Sequence, residues 1–201
     1  KQVYFLAKPG GEIWAVDIRT KKTRQISKPE YRPQGHGYYR VVCLSNGDLL
    51  LGCGAERHKL YFQVLDKSLK KNPVNIQSEE LDEGPAVSRK SMKIAWTLPG
   101  QKQIFAGEIT YSDGHISIIN KKLLVDNKNV IVDGLKYEDI LESQNWRPNN
   151  EDELIFAQYR RGNGFSSEVF GISVITGKII NYSSLTRSSI VNHHAVAWRQ
   201  S

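Results

Sequence analysis

Short apolar segments alternate with polar turns along the whole chain. The clearest example is Glu83–Trp96 (EGPAVSRKSMKIAW), in which two apolar runs flank a polar turn. The same arrangement recurs in Arg40–Cys53 (RVVCLSNGDLLLGC), in Gln144–Tyr159 (QNWRPNNEDELIFAQY) and at the start of His194–Ser201 (HAVAWRQS). Short runs rich in β-branched and aromatic residues, bounded by Gly, Pro, Asn and Asp, are typical of β-strands joined by tight turns. The pattern therefore predicts an all-β chain.

The strand–turn–strand segments return at regular intervals. Their equivalent positions Leu44, Val87, Trp146 and Trp198 are separated by 43, 59 and 52 residues. Repeats of about 40 to 50 residues with four strands each are typical of β-propeller blades. A β-sandwich, whose strands are also regularly spaced, is the alternative. We therefore predict a β-propeller with four-stranded antiparallel blades, of which this chain forms a partial propeller of about four blade units.

The turns divide this single propeller segment into approximate units. These are 1–30, 31–82, 83–140, 141–190 and the start of another unit at 191–201. The third unit is longer than its neighbours, so we place an insertion in it. No signal peptide is visible, and Lys1 leads directly into a strand pattern. We expect any leader or preceding blade to have been removed or not included.

The charge balance is basic but scattered. The 201 residues contain 28 Lys and Arg against 21 Asp and Glu, a formal net charge of +7. Such a surplus favours anionic partners, although a solvated basic surface is the simpler interpretation because the charges form no block. Net charge alone does not support nucleic-acid binding. No apolar run approaches the roughly 18 residues of a membrane span.

The two cysteines bear on the redox chemistry of the chain. If Asn46 and Gly47 form a two-residue hairpin turn, residue 43 lies opposite residue 50, and residue 53 lies opposite residue 40. The sulfurs of Cys43 and Cys53 are then too far offset for good disulfide geometry. We expect two buried free thiols.

Candidate ligand-binding residues stand just before the first strand of each unit. In a propeller this strand lines the central channel, and ligands bind at the channel mouth. A basic, aromatic loop at 159–165 is a further candidate for an anionic ligand, or else an exposed hairpin. The candidates are His36, Tyr39, Arg40, Glu83, Glu142, Gln144, Arg160, His193 and His194.

Two kinds of chemistry are open to these residues. A divalent metal ion would use His36, His193 or His194 as ligands, since imidazole with carboxylate or amide oxygen suits a borderline ion. We assign no metal, because adjacent histidines point to opposite faces of a strand and loop histidines often bond to backbone. Proton abstraction next to a uronate carboxylate would need a cation and a base. The available cations are Arg40, Arg147 and Arg160, and the available bases are His36, His193 and Tyr39.

Other catalytic classes lack their motifs. The sequence contains no Gly-x-Ser-x-Gly elbow, no phosphate-binding loop and no zinc-type cysteine pairs. We therefore name no catalytic residue, and we leave open whether the protein is an enzyme.

Two segments resemble a known family. GEIWAVDIRTKKTRQIS (Gly11–Ser27) and EGPAVSRKSMKIAW (Glu83–Trp96) are similar to the TolB-like (WD40-like) propeller repeat, with its apolar strand, Ser-Pro-Asp-Gly-Lys turn and Ile-Trp-x-x-Asp exit. Here Arg89-Lys90-Ser91 replaces Pro-Asp-Gly, and Arg147–Asn150 is a stretched version of the turn. The resemblance implies one of three roles: a periplasmic binding or scaffold protein, a polysaccharide-active enzyme such as oligogalacturonate lyase, or a gating domain of a serine peptidase.

The resemblance and the residues together give an expected function. We expect a non-catalytic module, periplasmic or secreted, that binds a carbohydrate or protein partner at the channel mouth. The alternative resembles oligogalacturonate lyase and acts on acidic oligosaccharides by β-elimination. We expect no cofactor under the first hypothesis, and a divalent metal is possible only under the alternative. No nucleic-acid partner and no membrane span are expected.

Overall fold

The computed structural model describes most of the chain. The described residues are 1–7, 11–28, 37–55, 59–70, 73–77, 85–97, 103–113, 115–126, 131–132, 135–136, 139–147, 150–162 and 164–183. Within the strands, only the backbone is described at residues 39, 54–55, 59–61, 77, 131–132, 135–136, 139–144, 158–162 and 164–167.

The described residues form β-strands joined by turns, which confirms the all-β prediction. The strands are β1 (Gln2–Ala7), β2 (Glu12–Asp17), β3 (Thr23–Gln25), β4 (Tyr38–Cys43), β5 (Leu49–Ala55), β6 (Lys59–Leu65), β7 (Val74–Gln77), β8 (Ala86–Val87), β9 (Lys93–Thr97), β10 (Gln103–Ser112), β11 (His115–Asp126), β12 (Ile131–Val132), β13 (Leu135–Lys136), β14 (Asp139–Arg147), β15 (Asn150–Gly162), β16 (Gly164–Ser173) and β17 (Ile179–Asn181). In the described part, no helix is long and apolar enough to cross a membrane.

The strands cluster into two compact units. The first comprises residues 1–79 and 110–118, and the second comprises residues 80–109 and 119–201. The further division into the five blade units set out above stays a prediction.

The first unit is built on two antiparallel groups of strands, β1-β2-β3 and β4-β5-β6-β7. Alternate residues of β2 point inward, so that Ile13 and Ala15 are buried while their neighbours are only partly covered. They pack with Leu49, Leu51 and Leu65 in one apolar cluster. The period-two pattern in the sequence thus supplies the core of this unit.

The strands of the β4–β5 hairpin pair in a different register from the predicted one. Its turn has three residues, because the Leu44 N–H bonds to the Asp48 carbonyl at 2.8 Å and Gly47 takes a positive φ of 91°. A three-residue loop closed by a glycine in the left-handed region is a common alternative to the two-residue turn. Cys43 therefore lies opposite Leu49, not Leu50, and a register shift after Tyr38 places Cys53 opposite Tyr38, not Arg40.

The two thiols differ in exposure, so the prediction of two buried thiols is wrong for one of them. Both cysteines are free, but only Cys53 is buried, whereas Cys43 is exposed. The loop places Cys43 beside the turn, on the uncovered end of β4. Burial raises the pKa of the Cys53 thiol to about 12, which keeps it protonated and unreactive at neutral pH.

The second unit contains β8 and β9, most of β10 and β11, and the antiparallel group β14-β15-β16-β17. Its core is apolar and tightly packed. The rings of Phe156 and Phe170 stack with centroids 5.6 Å apart, and both are fully buried. They pack with Ile104, Leu154 and Ile172. Aromatic pairs of this kind add to the stabilisation that comes from burial of apolar area.

The segment in which an insertion was predicted forms a long hairpin. β10 and β11 lie on either side of a turn at Asp113, which has a positive φ of 49°. Residues 110–118 group with the first unit, where β11 pairs in parallel with β7 through Ile116 and Ser117. A second positive φ, at Asn120 (53°), interrupts the regular geometry of β11.

The loop predicted at 159–165 is also mostly strand. β15 continues to Gly162, β16 begins at Gly164, and the ladder pairs Tyr159 with Ser167 and Arg161 with Phe165. The backbone of these residues therefore agrees with the hairpin alternative rather than with a loop. Gly162 and Gly164 pair with each other at the tip of this hairpin.

Candidate functional site

The structure describes the side chain of only one of the nine predicted ligand-binding residues. Arg40 is half-buried and lies opposite Gly52. Others are described in backbone alone, on β4, β14 and β15: Tyr39, Glu142, Gln144 and Arg160. Those that lie outside the described residues are His36, Glu83, His193 and His194. The predicted site at the channel mouth therefore stays a prediction.

Arg147, a candidate cation for proton abstraction, is engaged in a structural contact. Its Nη1 donates to Glu153 Oε2 at 2.6 Å, and this hydrogen bond raises the pKa of the guanidinium. The second carboxylate oxygen of Glu153 accepts from the Tyr182 hydroxyl. Gly171 makes this contact possible, since a Cβ there would lie 2.5 Å from the Tyr182 ring. The three side chains fix the end of β14 to the residue that follows β17.

A surface cleft in the second unit gathers chemically useful side chains that sequence analysis did not single out. It has a volume of about 270 Å³. Strands β9, β10, β11, β14 and β15 and the turn after β16 contribute to its walls. The lining residues are Lys93, Ala106, Gly107, Glu108, Asn120, Lys122, Trp146, Asp152, Val174 and Ile175.

One wall of the cleft is held by Lys93. Its ammonium is 3.2 Å from Asp152 Oδ1 and donates to the Glu151 carbonyl at 3.1 Å. It also lies over the Trp146 ring, 6.0 Å from the centroid, at the outer limit of a cation–π contact. Its contacts thus tie the first residue of β9 to the start of β15.

The floor of the cleft is Trp146. The indole is buried, and its N–H donates to the Ala86 carbonyl at 3.1 Å. This hydrogen bond satisfies the polar end of a side chain whose ring packs in the apolar core. Trp146 is therefore a packed core side chain and not an exposed platform. Val174 and Ile175 form an apolar rim, and Ile175 is 74% exposed.

A second wall of the cleft carries polar groups that the fold uses only in part. Glu108, Asn120 and Lys122 are all exposed. Among the described residues, nothing hydrogen-bonds the Glu108 carboxylate or the Asn120 side-chain amide. The Lys122 ammonium has one described partner, the Val174 carbonyl at 2.5 Å. This wall therefore presents an acceptor, an amide and a cation to the same small volume.

A second polar cluster, in the first unit, is closed. The Asp48 cluster comprises Asn46, Asp48, Lys67 and Tyr111. Asp48 Oδ2 accepts from the Tyr111 hydroxyl and from the Asn46 amide, each at 2.9 Å, and Oδ1 accepts from the Lys67 backbone N–H at 2.9 Å. Burial raises the pKa of Tyr111 to about 12, and the neighbouring carboxylate acts in the same direction. These bonds satisfy both oxygens of a buried carboxylate, which indicates a structural role.

The structure offers no metal site of its own among the described side chains. No group of three or more His, Cys, Asp or Glu there lies close enough to hold an ion. The imidazoles proposed as ligands, His36, His193 and His194, fall outside that part of the chain.

The sequence carried one signal that could have pointed to the cleft. In β11 the apolar alternation breaks at Asn120-Lys121-Lys122, and residues 119–123 are all exposed. Glu108 and Lys93 offered no comparable signal, because each is a single charge in a largely apolar strand. Only the β9–β10 ladder, which pairs Glu108 with Lys93, brings them to one place.

Comparison with known proteins identifies the fold. No protein-family model and no curated protein match the sequence. Among solved structures, a luciferin-regenerating enzyme aligns with a TM-score of 0.56 and 15% identity, over 89% of this chain and 61% of that one. TolB from Acinetobacter baumannii aligns at 0.55 and 14%, over 85% and 37%. Hydrazine synthase of Kuenenia stuttgartiensis aligns at 0.55 and 14%, over 89% and 49%.

These similarities establish a β-propeller fold. The strand groups of this chain align along most of its length with propeller structures, TolB among them, which confirms the predicted fold class. At this level of identity the likeness concerns the fold alone. The chain spans between 37% and 61% of the length of these three structures.

Proposed function

We propose that this chain is a binding module of a TolB-like propeller, which holds a carbohydrate or protein partner and is not itself catalytic. One observation carries the proposal: Glu108, Asn120 and Lys122 surround one cleft with hydrogen-bonding capacity that the described fold leaves unused. Polar groups held on strands but not consumed by the fold are well placed to meet a ligand, because rigid elements position them before binding.

The arrangement suits binding better than catalysis. Nucleophilic or acid–base catalysis needs a reactive side chain in contact with a second group that activates it. The described polar groups of the cleft are either engaged in fixing its walls, as Lys93 and Asp152 are, or stand singly, as Glu108 does. Binding requires only donors and acceptors fixed in place.

The other expectations remain proposals of the same kind. A second contact at the channel mouth would use His36, Arg40 and His193, and the protein would act in the periplasm or after secretion. The lyase alternative depends on His36 and His193, which lie outside the described residues. No cofactor is part of the proposed function.

Two parallel assays test the proposal. In the first, the chain is applied to glycan and peptide arrays beside Glu108→Gln and the neighbouring control Lys121→Ala, whose altered residue does not line the cleft. We expect retention on one array, lost in Glu108→Gln and kept in Lys121→Ala. Retention that is equal in all three proteins would remove the cleft from the proposal.

In the second assay, oligogalacturonates are incubated with the chain, with and without Mn²⁺, while absorbance reports unsaturated uronate. We expect no product. Product formation that disappears in His36→Ala or His193→Ala would overturn the non-catalytic proposal in favour of the lyase.

A further inference from the structure

We infer that the cleft accommodates one ring of a neutral sugar rather than an acidic sugar. This inference rests on the proposed binding function and narrows it. The basic chain as a whole favours acidic partners, with its formal charge of +7. The lining of the cleft has no such surplus of positive charge. It contains two lysines, Lys93 and Lys122, and two carboxylates, Glu108 and Asp152.

The two lysines are not equivalent. Lys93 already contacts Asp152 and the Glu151 carbonyl, so that its charge is compensated within the wall. The Lys122 ammonium still has N–H donors available for a ligand, since the Val174 carbonyl is its one described partner. An acidic ring would place its carboxylate in the same small volume as Glu108 and Asp152, and like charges in close contact are costly. A neutral ring avoids that repulsion.

Sugar hydroxyls match the groups that remain. A hydroxyl both donates and accepts a hydrogen bond. The Glu108 carboxylate can only accept, the Lys122 ammonium can only donate, and the Asn120 amide can do both. Neighbouring hydroxyls of one ring can therefore satisfy all three side chains together, and bonds to the two charged groups are the stronger kind.

Size and apolarity agree with a single ring. The volume of about 270 Å³ is below the roughly 300–1,000 Å³ of pockets that enclose drug-sized ligands. Ala106 and Val174 supply apolar contact for the C–H face of a ring, and the exposed Ile175 extends that contact at the rim. A longer saccharide would project out of the cleft beyond the ring that it holds.

Nuclear magnetic resonance of the isotope-labelled chain tests the inference. The probes are cellobiose, maltose and N,N′-diacetylchitobiose as neutral disaccharides and digalacturonate as the acidic one. We expect at least one neutral disaccharide to shift the backbone amide signals of Gly107, Glu108, Asn120 and Lys122. Glu108→Gln and Lys122→Ala should each weaken binding about tenfold, because each removes a hydrogen bond to a charged group. Lys121→Ala should stay within about twofold.

Three outcomes would overturn the inference. Tighter binding of digalacturonate than of every neutral disaccharide would show that charge balance does not govern the cleft. The absence of any shift at the four amides would show that it takes no sugar ring. If a peptide retained on the peptide array shifts these amides when no sugar does, the ligand class is replaced but the proposed binding function stays intact. Failure of the proposed non-catalytic binding function would be seen in a different assay, as the formation of unsaturated product from oligogalacturonate.

Discussion

The Asp48 cluster and the cleft use similar side chains in opposite ways. In the Asp48 cluster, three donors from three parts of the chain converge on one buried carboxylate. In the cleft, the Glu108 carboxylate is exposed, and no described group bonds to it. Both sites contain a carboxylate, an asparagine and a lysine residue, so residue type does not distinguish them.

The difference lies in how far the fold itself satisfies the polar groups. A buried carboxylate without donors would cost several kcal/mol, so its bonds belong to the folding free energy. An exposed carboxylate is hydrated in the free protein and can exchange water for ligand at small cost. We therefore expect changes in the Asp48 cluster to alter stability and changes in the open wall of the cleft to alter binding.

The largest effect is expected for Asp48→Ala. The substitution leaves the Tyr111 hydroxyl, the Asn46 amide and the Lys67 N–H without their common acceptor. The free energy of unfolding should fall by about 3 kcal/mol, as measured by urea denaturation. Asp66→Ala is a matched control, because Asp66 caps the exposed Ser68 N–H in a turn. Equal losses in the two variants would contradict a special role for the Asp48 cluster.

A smaller loss, about 2 kcal/mol, is expected for Trp146→Phe. It removes the hydrogen bond to the Ala86 carbonyl and leaves a small cavity in the floor of the cleft. Trp96→Phe is the control, since Trp96 is also buried but its N–H has no partner in the described structure. Comparison of the free energies of unfolding of the two variants separates the effect of the lost hydrogen bond from the effect of the smaller side chain. If Trp96→Phe is the more damaging, the bond to Ala86 contributes little.

Tyr111→Phe should cost about 1 kcal/mol at neutral pH and should also change the pH dependence of stability. The pKa of Tyr111 is raised from 10.0 to about 12 in the fold. Between these pH values the folded protein therefore holds a proton that the unfolded chain releases. The contribution of Tyr111 to the free energy of unfolding is fully present below pH 10 and is lost as the pH rises towards 12. Denaturation at several pH values should show a shallower fall in Tyr111→Phe. An unchanged slope would contradict the raised pKa.

The smallest effect on stability is expected for Glu108→Gln, within about 0.5 kcal/mol, because the described fold makes no use of this carboxylate. The same variant should lose most ligand binding. A stability loss as large as that of Asp48→Ala would show that Glu108 supports the fold and would remove the contrast between the two sites.

Much of the fold was predictable from the sequence, and most of the described site was not. The alternation around Ile13 and Ala15 predicted a strand with one buried face, which the structure confirms. The hairpin at Asn46-Gly47 was predicted, but its register next to the turn was wrong by one residue because turn length depends on backbone angles that the Asn-Gly pair alone does not fix. The residues on either side of Asn163 were left open between a basic loop and a hairpin, and only the β15–β16 ladder decides for the hairpin.

The sequence by itself determined the strands, their buried faces and the class of fold, because a period of two residues is a local property that burial of one face enforces. Only the tertiary structure decided which polar side chains have hydrogen-bond partners within the fold. Tyr111 reaches Asp48 across 63 residues, and Lys93 reaches Asp152 across 59. Such contacts depend on how distant strands pack, so no local pattern distinguishes the satisfied Asp48 from the open Glu108.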